Sequence, residues 1–223
     1  RRSSELGRSV DFNSRTYWLD LARLRERGLF DGLFIADILG VYDVYQQGIG
    51  LTASESIQLP VNDPLMLLSG MASVTQHLGF GVTANLSYEA PYPFARRFST
   101  LDHLTQGRIG WNMVTGYLDS AARAMGQRQL QDHDRRYDQA DEFLDVAYQL
   151  WEGSWQDDAM QADKVKRLYA DASKIHAINH QGEFYQVQGY HLSSPSPQRT
   201  PLLFQAGSST RGVEFAARHA ECS

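Results

Sequence analysis

The sequence has little cysteine, no long apolar run and no excess of positive charge. Cys222 is the single cysteine among 223 residues, which excludes an internal disulfide framework and fits a reducing compartment. No apolar run is long enough to span a bilayer, and the first residues, RRSSELGRSVDFNS, lack the apolar core of a signal peptide. The net charge of −5 argues against a nucleic-acid or membrane-surface role. We therefore expect a soluble, cytoplasmic protein.

Short apolar segments alternate with helical patterns along the chain. The predicted strands, each expected to be buried, are LFIADILG (33–40), LGFGVTANL (78–86), Ile109–Val114 and TPLLFQAGSS (200–209). The predicted helices are YWLDLARLRERGLFDG (17–32), NDPLMLLSGMASVTQH (62–77), PYPFARRFSTLDHLTQG (91–107), DRRYDQADEFLDVAYQLWEG (134–153) and TRGVEFAARHAEC (210–222). This alternation predicts a parallel sheet.

The domain organisation follows from the same pattern. We expect one domain over residues 1–223, with an irregular, charged insertion at about 153–199. Inside that insertion, HQGEFYQVQGYHL (180–192) has the pattern of a hairpin. Before it, Phe143, Ala147, Leu150 and Trp151 form one apolar stripe on a helix.

Two architectures fit alternating strands and helices: an open doubly wound sheet and a (β/α)8 barrel. A doubly wound nucleotide-binding domain should show a glycine fingerprint after its first strand, but the glycines of GFGVTA (79–84) enter a strand instead of following one. The barrel requires polar groups where strands end. Such groups follow all four predicted strands: Asp37, Thr83, Asn85, Asn112, Thr115, Gln205, Ser208 and Ser209. We therefore predict the barrel.

Four sequence blocks carry a family resemblance: LFIADILGVYDVY (33–45), GRIGWNMVTGYLDSAARAMG (107–126), DHDRRYDQADEFLDVAYQLWEGSWQDDA (132–159) and PSPQRTPLLFQAGSSTRGVEFAARHAE (195–221). In this order they resemble the bacterial-luciferase-like flavin monooxygenases. The most similar branch includes the nitrilotriacetate (component A), dibenzothiophene-sulfone, dimethyl-sulfide and long-chain alkane monooxygenases.

The resemblance implies a fold, a cofactor and a reaction. The fold is a (β/α)8 TIM barrel, and the cofactor is reduced FMN from a separate NAD(P)H:flavin reductase. Through a flavin C4a-(hydro)peroxide, one oxygen atom of O2 would enter a small organosulfur, amine or hydrocarbon substrate. A homo-oligomer, dimer or tetramer, is expected. A deazaflavin-dependent oxidoreductase of the same superfamily and a non-catalytic flavin-binding protein are the alternatives.

The same resemblance implies that the barrel is incomplete in this chain. Family members place a strand before the first helix and continue beyond HAECS (219–223) into later strands. Four strands do not close an eight-stranded barrel. We therefore expect this sequence to be part of a longer protein.

The resemblance assigns four residues to the flavin ring: Asp37, Thr83, Asn112 and Val114. The carboxylate of Asp37 would lie beside the flavin, polar groups at Thr83 and Asn112 would line the ring, and Val114 would pack on it. Local reasons also exist for each residue type, since Asp37 could cap a loop, Asn112 could tie down a loop backbone and Val114 could belong to the core.

A second group is assigned to the FMN phosphate. His133 and Tyr137 lie four residues apart, on one face of a predicted helix start. Ser209 precedes the last helix, whose N-terminus attracts anions, while Ala206 and Gly207 would let the phosphate approach the backbone. Ser209 as a simple helix cap, and a surface His133 with a half-buried Tyr137, are the alternative interpretations.

Tyr42 and Gln58 lie where related enzymes have substrate-pocket residues near the reactive flavin carbon, so they are the candidate catalytic residues. No metal site is predicted. His176 and His180 have ligand-like spacing, but the sequence shows neither an acidic partner nor a clear helix for them.

Overall fold

The computed structural model describes residues 9–223, so most of the amino-terminal stretch considered as a signal peptide lies outside the described residues. The helices are α1 (Arg15–Arg27), α2 (Gly50–Ser54), α3 (Leu65–Ala72), α4 (Pro91–Thr105), α5 (Asp119–Ala124), α6 (His133–Tyr148) and α7 (Thr210–His219). The strands are β1 (Gly32–Ile35), β2 (Gly79–Asn85), β3 (Ile109–Val114), β4 (Met160–Asp163), β5 (Leu168–Ala170), β6 (Ile178–Gln181), β7 (Gln186–Gly189) and β8 (Leu202–Phe204).

A four-stranded parallel sheet with the order β1-β2-β3-β8 is the centre of the fold. The prediction of a parallel sheet is confirmed, and β2, β3 and β8 lie within predicted segments, while β1 begins one residue before its segment, at Gly32. The register places Thr83 opposite Asn112 and Asn112 opposite Phe204. Because all four strands run in one direction, the residues that follow them meet at a single edge of the sheet.

The two outer strands differ from the prediction. We expected every strand to be buried, but Phe34 of β1 is 51% exposed and Leu202 of β8 is 39% exposed. The physical reason is their place in the sheet, since β1 and β8 each pair on one side only within the described residues. The inner strands β2 and β3 are buried along almost their whole length, as predicted.

Aromatic packing holds the helices against the outer face of the sheet. Trp111 of β3 lies between Phe94 and Phe98 of α4 and Phe143 of α6, with ring centroids 4.5, 5.5 and 6.0 Å away. Its indole N–H donates to the carbonyl of Ala84 at 2.9 Å, so the buried polar atom has a partner. The predicted stripe of Phe143, Ala147, Leu150 and Trp151 is confirmed, since all four side chains are buried.

Between α6 and β8 the chain forms two antiparallel hairpins, β4–β5 and β6–β7. The second is the hairpin that the sequence indicated. Glu142 of α6 fastens its turn, because the carboxylate accepts hydrogen bonds from the backbone N–H groups of Glu183, Phe184 and Tyr185 at 2.8–3.0 Å. A single domain with an insertion at about 153–199 stays a prediction.

Among the described residues, no helix has both the length and the apolar character needed to cross a membrane.

Candidate active site

Polar residues at the carboxyl ends of β1, β2 and β3 surround a cavity of about 140 Å³, the strand-end cavity. Its lining consists of Asp37, Ile38, Leu39, Gln58, Thr83, Asn85, Val114, Gly116 and Tyr117. The structure therefore brings together four residues that the sequence predicted for the site: Asp37, Gln58, Thr83 and Val114. Their ring-contacting and catalytic roles stay predictions.

Asn112 and Thr83 form a buried pair beside this cavity. The amide nitrogen of Asn112 donates to the Thr83 hydroxyl oxygen at 2.9 Å, and the residues are 8% and 3% exposed. The amide thus finds its partner on the neighbouring strand, not in a loop backbone. Since the Thr83 oxygen accepts this bond, its own hydroxyl proton is free to donate elsewhere.

Asp37 is a half-buried carboxyl group on the cavity wall. Burial raises its pKa, and the nearby charge of Asp63 adds to that rise, whereas the backbone N–H of Ile38 opposes it. A second cavity of about 180 Å³ shares Asp37 and Thr83 and is also lined by Asp63 and Glu89. This end of the sheet therefore carries several acidic groups.

The two candidate catalytic residues lie in loops. Gln58 is exposed and has a left-handed backbone with φ of 52°, at the edge of the strand-end cavity. Tyr42 does not line the cavity. Its hydroxyl forms a hydrogen bond with the hydroxyl of Tyr117, and Tyr117 does line the cavity. Sequence reasoning passed over Tyr117, although it closely follows β3 and its polar end.

A separate group, the helix-end cluster, forms at the start of α7 from His133, Tyr137, Gly207 and Ser209. The Ser209 hydroxyl accepts from the Gly212 N–H at 3.0 Å and lies 3.2 Å from Nε2 of His133. The ring centroids of His133 and Tyr137 are 5.1 Å apart. Ser209 therefore caps α7, as the alternative interpretation stated. It also lies beside His133, which the phosphate hypothesis requires.

Gln205 is buried and links the members of this cluster, and no role there was predicted for it. Its amide nitrogen donates to the Tyr137 hydroxyl oxygen at 3.3 Å, and its amide oxygen accepts from the Gly207 N–H at 2.9 Å. A Cβ on Gly207 would lie 2.4 Å from the Gln205 amide nitrogen and 2.9 Å from the Tyr137 oxygen. A side chain at this position would therefore force the Gln205 amide and the Tyr137 hydroxyl to shift. Ala206 is exposed beside it.

The histidines form no metal site in the described part of the chain, where no group of three or more His, Cys, Asp or Glu side chains is placed to hold an ion. One detail of the sequence reasoning was wrong. His180 does have an acidic partner, since its Nε2 lies 3.0 Å from Glu142. That partner is 38 residues away in the sequence, so local spacing did not indicate it.

Comparison with known proteins identifies similar sequences. Residues 1–222 match the family model described as luciferase-like monooxygenase. The long-chain alkane monooxygenase of Geobacillus thermodenitrificans is 56% identical over 96% of this chain and 48% of its own length. The dimethyl-sulfide monooxygenase of Hyphomicrobium sulfonivorans is 55% identical over 94% of this chain and 44% of its own length. The chain thus spans about half the length of the curated relatives it matches.

Solved structures agree with the sequence comparison. A crystal structure of a long-chain alkane monooxygenase superposes with a TM-score of 0.93 at 56% identity, over 95% of this chain and 49% of that one. A riboflavin lyase crystallised with modified FMN and riboflavin superposes with a TM-score of 0.90 at 43% identity, over 95% of this chain and 47% of that one. The predicted luciferase-like TIM-barrel fold class is confirmed for the part that the chain covers.

Proposed function

Because this chain belongs to the luciferase-like monooxygenase family, we propose that the protein is a reduced-FMN- and O2-dependent monooxygenase of a two-component system. A separate NAD(P)H:flavin reductase would supply the flavin, and the protein would act as a homo-oligomer. Its substrate would be a small organosulfur compound, amine or hydrocarbon. The names of the relatives support this range, since one refers to alkanes and another to dimethyl sulfide.

The helix-end cluster is the observation that carries the proposal. The N-terminus of α7 offers free backbone N–H groups and a positive dipole end, which suit a phosphate. Tyr137 accepts its hydrogen bond from Gln205, so its own hydroxyl proton is available to an anion. Gly207 leaves the space that a side chain would fill. The residues present therefore fit the phosphate of FMN.

The residues at and beside the strand-end cavity have the polar and apolar groups that the flavin ring would need. The hydrogen bond between Asn112 and Thr83 uses neither the hydroxyl proton of Thr83 nor the amide oxygen of Asn112. The hydroxyl can therefore donate to the polar edge of the ring, and the amide oxygen can accept from it. Val114 would supply an apolar contact to the ring face, and Asp37 lies on the same wall of the cavity. When bound, reduced FMN would supply the two electrons that activate O2, one atom of which would enter the substrate while the other leaves as water. The protein residues would orient the ring and limit its contact with water.

Oxygen consumption by the intact protein tests the proposal. The assay combines the protein, FMN, NADH and a flavin reductase with a panel of thioethers, amines and alkanes, under isotopically labelled O2. Reduced FMN also reacts with O2 without a substrate, so the labelled product is the decisive readout. We expect one substrate class to give a product that carries a single labelled oxygen atom. Anaerobic hydride transfer to or from a deazaflavin would indicate the deazaflavin-dependent alternative. Flavin binding with no turnover in either assay would favour the non-catalytic one.

A matched pair of serine variants controls this assay. Ser209→Ala removes a member of the helix-end cluster, whereas Ser208→Ala changes its exposed neighbour. We expect the first to raise the FMN concentration needed for half-maximal formation of the labelled product and the second to leave it unchanged. Equal behaviour of the two variants would contradict the placement of the phosphate.

A further inference from the structure

The loop that carries Tyr42 is tied to α5 by a reciprocal pair of hydrogen bonds. The Val41 N–H donates to the Ser120 hydroxyl at 2.9 Å, and that hydroxyl donates to the Val41 carbonyl at 2.7 Å. Gly40 has φ of 95°, and a Cβ there would lie 2.8 Å from the backbone nitrogen of Ala121. The loop thus lies so close to α5 that only glycine fits the contact.

Two further bonds fix the backbone around Tyr42. The buried hydroxyl of Thr52 donates to the Tyr42 carbonyl at 2.5 Å, and Arg123 of α5 pairs with Asp43 at 2.5 Å. With its neighbours held on both sides, the Tyr42 ring has a defined direction. Its hydroxyl meets that of Tyr117, and the ring centroids are 6.4 Å apart.

We propose that Tyr117 is a specificity-determining residue, and that its hydroxyl and that of Tyr42 together recognise a small neutral substrate with a hydrogen-bond acceptor atom. This inference rests on the function proposed above. When two phenols bond to each other, one proton is used between them and one O–H is left over. When Tyr42 is the donor in that bond, the remaining O–H belongs to Tyr117, which lines the strand-end cavity.

The charge of the surroundings indicates why the substrate is neutral. The hydrogen bond with Tyr42 is the main cause that raises the pKa of Tyr117 to about 12, and burial is the second, so Tyr117 keeps its proton at neutral pH. No Lys, Arg or His side chain is among the described residues that line the cavity, whereas Asp37 is. Arg123, the cation on the adjoining helix, is engaged with Asp43. An anionic substrate would therefore meet a carboxyl group and no compensating charge.

Binding of two ring compounds of equal size tests the inference on the intact protein without any turnover. Tetrahydrothiophene 1-oxide carries an acceptor oxygen where methylcyclopentane carries a methyl group. Ligand-observed NMR titration gives a Kd for each compound. We expect the wild type to prefer the sulfoxide, and Tyr42→Phe and Tyr117→Phe each to reduce that preference about three- to tenfold, the size of one neutral hydrogen bond. The double variant should lose no more than the worse single variant, because the two hydroxyls act as one unit.

Two controls separate recognition from damage to the fold. Tyr169→Phe alters an exposed tyrosine on β5 and should leave the preference unchanged. In Tyr42→Phe, the NMR titration of the Tyr117 Cζ resonance should show a lowered pKa, because the bond that raised it is gone. An unchanged preference in either single variant, or additive losses in the double variant, would overturn the inference. Absence of a labelled product would instead contradict the proposed monooxygenase alone, since these titrations do not depend on turnover.

Discussion

The amide of Asn112 and the hydroxyl of Thr83 are joined across β2 and β3 by a hydrogen bond of 2.9 Å. Both side chains are buried where their strands end, so the bond satisfies a donor that would otherwise be costly. The pair has a structural role in addition to the flavin contacts proposed for it. That role can be measured without any ligand.

Thr83→Val should destabilise the protein by about 1–3 kcal/mol, because it keeps the shape of threonine but leaves the Asn112 amide without its acceptor. Urea denaturation of the wild type and the variant measures the difference in unfolding free energy. Thr83→Ser keeps the hydroxyl and should retain most of the bond's contribution. If Thr83→Val and Thr83→Ser lower the unfolding free energy equally, the loss comes from packing and not from the hydrogen bond.

Gly207→Ala should weaken binding of reduced FMN, since its Cβ would enter the space between Gln205 and Tyr137. We expect a loss of about tenfold or more, because both polar side chains must move away from their present bonds. Gly50→Ala is the matched control, with no atom within 4 Å of the added Cβ. Fluorescence titration under anaerobic conditions gives both constants, and equal affinities in the two variants would show that the Gly207 position does not hold the cofactor.

Local signals in the sequence predicted much of the fold. The apolar run of β3 was placed at its observed bounds, Ile109–Val114. The last helix was predicted to begin at Thr210, directly after Ser209, and Ser209 is the cap of α7. Both predictions succeeded because strand burial and helix capping depend on neighbouring residues.

Contacts between distant residues were the part that the sequence could not predict. Thr83 and Asn112 were both candidates, but their mutual bond depends on the register of β2 and β3. Gln205 stands 68 residues from Tyr137, and Tyr42 stands 75 residues from Tyr117. Periodicity carries no information on such pairs. The exposure of β1 was missed for the same reason, since it depends on what lies beside the strand.

The stability of the protein should fall as the pH drops from about 6.5 towards 4, in part because of His191. This histidine is 4% exposed, and burial lowers its pKa from 6.5 to about 4. Between these values the unfolded chain binds a proton that the folded protein does not, so stability is complete above pH 6.5 and is lost progressively below it. The full contribution is about 3 kcal/mol, at roughly 1.4 kcal/mol per pKa unit.

His191→Gln should flatten this pH dependence, while the exposed His77→Gln should not. Glutamine retains a polar group near Ser99, whose hydroxyl lies 2.9 Å from Nε2 of the histidine. Urea midpoints between pH 4 and 7 compare the two variants with the wild type. His219 also has a pKa lowered by burial, so the wild-type slope contains both residues and only the difference between variants reports on His191. Parallel curves for all three proteins would show that His191 does not titrate in this range.

Ser209→Ala and Tyr137→Phe should each weaken binding of reduced FMN by about ten- to a hundredfold. Each variant removes a hydrogen bond to a charged acceptor, which contributes roughly 1.5–3 kcal/mol. Reduced riboflavin has no phosphate, so its affinity should hardly change. Ser209→Ala also removes the cap of α7, at a cost to stability of about 1 kcal/mol. A general loss of stability affects the binding of both flavins, so the ratio of the FMN affinity to the riboflavin affinity does not contain it.

Asp37→Ala should weaken the binding of FMN and the binding of riboflavin by similar factors, because Asp37 lies on the wall of the strand-end cavity and not in the helix-end cluster. Anaerobic titration of each variant with both flavins gives the full set of ratios, with Ser208→Ala as the reference for an exposed serine in the same loop. The expected result is a selective loss of FMN binding at Ser209 and Tyr137 and a common loss at Asp37. Equal losses of FMN and riboflavin in the Ser209 and Tyr137 variants would place the phosphate elsewhere, since the start of α7 would then contribute to the flavin as a whole and not to its charged end.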